Sequence, residues 1–148
     1  MQELLEHERQ RSLRRGLPLC TALIDVDHFK RINDVHGHAV GDAVLRALAC
    51  TGQAQLRGSD VLARWGGEEF VVMLPDTLLA TASAGIDRLR ERLAESMLCD
   101  AAPELRVSFS AGIAQLSGDE PIARTLERAD RALYAAKAQG RNRVVIAD

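Results

Sequence analysis

Asp25 and Asp27 bracket Val26 and lead directly into His28, Phe29 and Lys30. A carboxylate at the end of an apolar run, entering a helix start, is suited to a divalent cation. The free backbone N–H groups of the turn that follows are suited to phosphate oxygens. A buried strand gains nothing from an unpaired carboxylate, so Asp25 calls for a partner, with a metal as one candidate. Asp27 has a plainer role as the N-cap of the next helix. A second acidic pair, Glu68-Glu69, follows Gly66-Gly67. Taken alone it is a solvated acidic turn. Successive strand residues point to opposite faces, so only one of the pair can share a site with Asp25. Lys137 and Arg141 end the last helical stretch, where cations complement the helix dipole; the same two groups are suited to clamping a polyphosphate. Asn33 and Asp42 offer an amide and a carboxylate that match the hydrogen-bonding edge of guanine, although each also serves as a local cap. Arg57 and Asp60 form an Arg-x-x-Asp, in most settings a helix-end salt bridge.

The elements that must position these groups follow from the apolar pattern. Residues 1–15 are rich in Leu, Glu and Arg and read as a polar helix broken by Gly16 and Pro18. Leu19–Val26 is a short, continuous apolar run, a buried strand. A short helix over 28–35 stops at Gly37, and a longer one over 38–56 repeats Val40, Val44 and Leu48 at helical spacing. Residues 60–65 and 69–74 are two apolar runs joined through Gly66-Gly67, a hairpin signal because both glycines can take positive φ. A helix over 77–98 carries Leu79, Ala82, Ile86, Leu89 and Leu93; residues 105–115 alternate as a strand. A helix over 121–139 starts at Pro121 and stops at Gly140, and Val144–Ile146 closes the chain. The order predicts an α+β fold with a mostly antiparallel central sheet flanked by helices, close to a ferredoxin-like arrangement.

Composition narrows the function classes. The chain has 148 residues, 47% hydrophobic and 27% charged, with a net charge of -2. That is one globular domain spanning 1–148 with no electrostatic footprint for nucleic acid. The basic cluster Arg9, Arg11, Arg14 and Arg15 is interleaved with Glu and reads as a solvated helix face. Cys20, Cys50 and Cys99 lack metal-ligand spacing and read as small core residues in a reducing compartment. No signal peptide or membrane-length apolar run is present, which points to a cytoplasmic protein or the cytoplasmic part of a larger one.

Several motifs in order now carry a resemblance. The stretch from Arg64 to Phe70, Arg-Trp-Gly-Gly-Glu-Glu-Phe, resembles the signature of the GGDEF family of diguanylate cyclase domains in its GGEEF form. Leu23 to Lys30 looks like that family's first strand and phosphate turn. Asn33-Asp34, Gly37-His38, Gly41-Asp42 and the segment from Ala135 to Asn142 match in order and spacing. The likeness covers roughly residues 17–147.

The resemblance implies a nucleotidyl-cyclase palm that condenses two GTP into cyclic di-GMP and two pyrophosphates. It implies Mg²⁺, with Mn²⁺ as a substitute, held by Asp25, the Val26 carbonyl and Glu68. Glu68 would assist deprotonation and Glu69 would be accessory. Phe29 and Lys30, with Lys137 and Arg141, would meet the phosphates, and Asn33 and Asp42 would read guanine. Each domain would hold one GTP, so catalysis implies a homodimer. Arg57 and Asp60 stand where the family has its product-inhibition site, and Arg88 resembles a further arginine of it. The family's usual leader segment before the first helix is not matched, and an upstream sensory domain is expected in the full-length protein. Two other classes stay open: a silent domain acting as a receptor for GTP or cyclic di-GMP, and a phosphoryl transferase using another nucleotide.

Overall fold

Strand β1, Leu19–Val26, is buried along its whole length and is the middle of a five-stranded sheet. The fold is a computed structural model describing residues 1–148. Helix α1 (Gln2–Arg15) precedes β1; α2 (Phe29–His36) and α3 (His38–Gln55) follow it. Then come β2 (Val61–Gly66), β3 (Glu69–Pro75), α4 (Leu79–Glu95), β4 (Phe109–Gln115), α5 (Ile122–Ala138) and β5 (Val144–Ile146). The sheet order is β2-β3-β1-β4-β5. All neighbours pair antiparallel except β5, which runs parallel to β4. The first four strands have the ferredoxin-like order expected from the sequence.

Side-chain alternation along β1 divides the core. Cys20, Ala22, Ile24 and Val26 face α2, α3 and α4 together with Phe70, Val72, Phe109, Ala111 and Ile113. Leu19 and Leu23 face the other way. Leu23 packs with Val71, Ala114 and the α5 residues Ala129 and Leu133, and Leu19 with Met73 and Leu5 of α1. Period two then places Asp25 on the α1/α5 side. The α5–sheet contact is close because β4 carries glycine at its centre. A Cβ on Gly112 would lie 2.1 Å from the Ala129 carbonyl oxygen and 2.2 Å from the Leu133 nitrogen.

Several boundaries differ from the sequence expectation, each for a local reason. Helix α4 starts at Leu79, not 77, because the Thr77 hydroxyl and N–H turn back to the carbonyls of Pro75 and Pro18. It stops at Glu95 because Ser96 takes an extended backbone and its hydroxyl donates to the Arg92 carbonyl at 2.5 Å. Strand β4 begins at Phe109, not 105, since residues 100–104 are bends and turns containing Pro103. Cys20 is buried as expected, but Cys50 is exposed on α3. The α1 arginines are more than a solvated face: Arg9 donates to the carbonyls of Glu120 and Asp119 at 2.6 Å each, and Arg11 reaches Asp76 at 3.2 Å.

Candidate active site at the end of the central strand

Asp25 lies directly across from Glu69 of β3, at the end of β1 where the β2–β3 hairpin turns. The central turn residues are Gly67 and Glu68, so positive φ is needed at Gly67 alone (φ 47), while Gly66 still pairs with Glu69. A register irregularity beside Trp65 and a 2.8 Å bond from Arg64 Nε to the Gly67 carbonyl shape the turn. The Glu68 carbonyl accepts from the Val26 N–H at 3.3 Å, tying the acidic turn to β1. The expectation that only one glutamate shares the Asp25 neighbourhood does not hold. Glu69 is the cross-strand neighbour, and Glu68, being in the turn and not the strand, escapes the alternation rule.

Lys137, on α5, donates to Asp25 Oδ2 at 2.6 Å. The lysine therefore sits on the carboxylate in this structure, not poised over a separate phosphate position. Burial holds the Asp25 carboxyl above the usual carboxylate range; Lys137 opposes this, and Glu68 and Asp27 add to it. Burial likewise pushes Glu69 up, reinforced by Asp25. A concentration of negative charge at the end of a buried strand, with one ammonium beside it, suits a hard cation bound by oxygen. The donor set of Asp25, Glu68 and the Val26 carbonyl fits Mg²⁺, which uses few protein ligands and completes its shell with water and phosphate. No cluster of three or more His, Cys, Asp or Glu side chains is preassembled for a metal.

Asp27 is not a helix cap. It is 6% exposed, and its carboxylate accepts from the hydroxyls of Ser108 (2.6 Å) and Ser110 (2.7 Å) and from the Asn142 N–H (3.0 Å). The cap position falls to His28, in the left-handed region with φ 55 and no side-chain bond. Phe29, partly buried, and exposed Lys30 open α2, whose first N–H groups have no helical partner. Arg141 is exposed beyond the end of α5, also left-handed at φ 63. Asn33 lies against α3; its Oδ1 is buried without a hydrogen-bond partner, at the place where a Cβ on Gly41 would stand. Asp42 is exposed on α3 and lines a cavity of about 400 Å³ with Leu45, Arg46, Leu62, Arg64 and Phe70.

Arg57, Asp60 and Arg88 come together elsewhere. They line a separate cavity of about 390 Å³ between the end of α3 and α4. The Arg57 guanidinium is held by Asp60 at 3.1 Å, by the Pro75 carbonyl at 2.9 Å and by Thr77. Arg92 lines the same cavity and was missed in the sequence; its signal was its spacing, one helical turn beyond Arg88 on the same face. Pro75 pairs with Leu19 and Glu69 with Asp25, so the two sites occupy opposite ends of β1, about 20 Å apart along the strand.

Comparison with known proteins decides the family. The family model for the diguanylate cyclase GGDEF domain matches residues 1–143. The chain belongs to the GGDEF family. It is 44% identical over 147 residues to diguanylate cyclase DgcP of Pseudomonas aeruginosa, covering 99% of this chain and 22% of that protein. It thus spans about a fifth of that relative's length. The GGDEF domain of DgcB from Caulobacter crescentus, solved in complex with c-di-GMP, superposes with a TM-score of 0.92 at 33% identity, covering 97% of this chain and 86% of that one. The active GGEEF domain of a diguanylate cyclase from Vibrio cholerae superposes at 0.90 with 36% identity, covering 96% and 90%. The curated relatives are named diguanylate cyclases, which are nucleotidyl transferases, and the fold expected from the sequence is that of these solved domains. No helix here is long and apolar enough to cross a membrane.

Proposed function

We propose that the domain condenses two GTP into cyclic di-GMP, each domain of a facing pair presenting one nucleotide. The observation that supports this best is the convergence of Asp25, Glu68 and Glu69 with Lys137 at one end of β1. Asp25, the Val26 carbonyl and Glu68 would hold Mg²⁺, which when bound supplies Lewis-acid activation of the 3′-hydroxyl and charge neutralisation at phosphate. Lys137, which pairs with Asp25 here, would pair with phosphate oxygens when the nucleotide is held. Arg141 and the α2 N-terminus at Phe29 and Lys30 take the remaining phosphate charge. Asn33 and Asp42 hold guanine, and Glu69 tunes the local field beside Asp25. The cavity of Arg57, Asp60 and Arg88 receives the anionic product, where guanidinium forks suit its phosphates.

The test is chromatographic detection of cyclic di-GMP after incubation with GTP and Mg²⁺ at high protein concentration. Product is expected from the parent and at least 100-fold less from Glu68→Ala, roughly the scale of losing a catalytic group. Equal product from both would remove Glu68 from the chemistry. Binding of GTP or cyclic di-GMP with no turnover in the parent would instead favour a receptor.

A further inference from the structure

Arg141 and Asn142 are consecutive non-glycine residues with left-handed backbones, φ 63 and φ 47. Such conformations persist where the surroundings hold them, and here the holding groups are identifiable. On one side, the buried Asp27 carboxylate accepts the Asn142 N–H at 3.0 Å while Ser108 and Ser110 fix its two oxygens. On the other side, Arg90 of α4 donates to Asn142 Oδ1 at 2.8 Å. Arg90 is itself oriented by a 2.8 Å bond from its Nε to Asp87. The Arg141 N–H closes the loop on the Ala136 carbonyl at 3.0 Å. The exposed side chain of Arg141 therefore projects from a loop clamped between the end of β1 and the side of α4.

We propose that Asp27 and Arg90 are positioning residues for Arg141, acting through Asn142 from opposite sides. This rests on the reading of Arg141 as a contact to the nucleotide's outer phosphates. Neither residue needs to touch the nucleotide. Their effect falls on the triphosphate end of the ligand and leaves the guanosine end alone.

That selectivity is the test. Dissociation constants are measured in Mg²⁺ for a GTP analogue with a methylene bridge between the α and β phosphates, which prevents turnover, and for GMP. Arg90→Ala and Asn142→Gly are compared with Arg141→Ala. Glycine at 142 keeps the left-handed backbone and the N–H to Asp27 but deletes the acceptor of Arg90. Arg141→Ala is expected to weaken the triphosphate about tenfold, the scale of one charge-assisted hydrogen bond, with GMP unchanged. Arg90→Ala and Asn142→Gly are expected to lose several-fold on the triphosphate only, and the double variant no more than either single one. If Arg141→Ala has the selective loss and the other two do not, the positioning role is wrong and the phosphate contact stands. If Arg141→Ala itself shows no selectivity, the phosphate reading fails and the positioning role with it. Equal weakening of both ligands by Arg90→Ala would mark a general structural role and overturn the inference.

Discussion

At the scale of single residues, Asp25 carries opposed demands. Its carboxyl is held above the usual range chiefly by burial, with Lys137 offsetting only part of that. An acid whose folded pKa is raised binds its proton more tightly in the native state. Its effect on stability is therefore unfavourable as pH rises from the ordinary carboxylate pKa, about 3.9, through the raised value. Asp25→Asn is expected to raise the melting temperature of the metal-free protein at about pH 7, and the gain should shrink toward zero on acidification to roughly pH 3. Mg²⁺ is expected to stabilise the parent further, and the same substitution should abolish that gain. Thermal melts across pH, with and without MgCl₂, check both signs; a variant less stable than the parent at neutral pH without metal would mean that the Lys137 pair outweighs burial.

At the scale of elements, two glycines set how closely helices approach, with different consequences. Gly112 meets α5 backbone, which cannot rotate away. Gly112→Ala is expected to destabilise by about 1–3 kcal/mol and to lower activity further, because pushing α5 outward moves Lys137 away from the phosphates it is proposed to meet. Denaturant unfolding gives the first quantity and turnover at saturating GTP the second. Gly41 in α3 meets a side chain: a Cβ there would stand 1.9 Å from Asn33 Oδ1 and 3.2 Å from the Phe29 ring edge. Alanine at this position gains helix propensity of about 1 kcal/mol while Asn33 can swing aside. Gly41→Ala is therefore expected to change stability by less than about 1 kcal/mol yet weaken guanine-nucleotide binding by about tenfold through loss of the Asn33 contact. Calorimetric titration beside a melt separates these outcomes.

At the scale of the whole molecule, the acidic end and the arginine cavity lie at opposite ends of β1. On the proposed reading, product bound at Arg57 and Arg88 would not compete for the Asp25 end. Inhibition by added cyclic di-GMP is expected to lower kcat with little change in KM for GTP. Arg57→Ala should raise the inhibition constant about tenfold or more, since its guanidinium anchors the cavity. Purely competitive inhibition would place the inhibitory site at the Asp25 end instead. Turnover per domain should also climb with protein concentration if, as proposed, each domain holds one nucleotide and the facing pair is the working unit. Constant specific activity in a protein shown to be monomeric would contradict that arrangement.

Apolar patterning by itself determined much of this protein. The full span of β1, the hairpin around Gly67, the five helices and the antiparallel order follow from period-two and period-3.6 burial, which is a local property of the chain. The site's carboxylates were legible for a related reason: Asp25 ends an otherwise apolar run, and Glu68 sits in a turn that glycine marks. What only the tertiary structure decided is who partners whom. Asp27 read as a helix cap because its neighbours in sequence suggested one, whereas its actual partners, Ser108, Ser110 and Asn142, arrive from the entry to β4, from β4 itself and from the loop before β5. Lys137 read as a phosphate clamp or a helix-end charge, and the close α5 contact at Gly112 brings it onto Asp25. Arg90 carried no motif at all. Hydrogen bonds between residues distant in the chain depend on how helices pack on the sheet, and no local spacing encodes that packing.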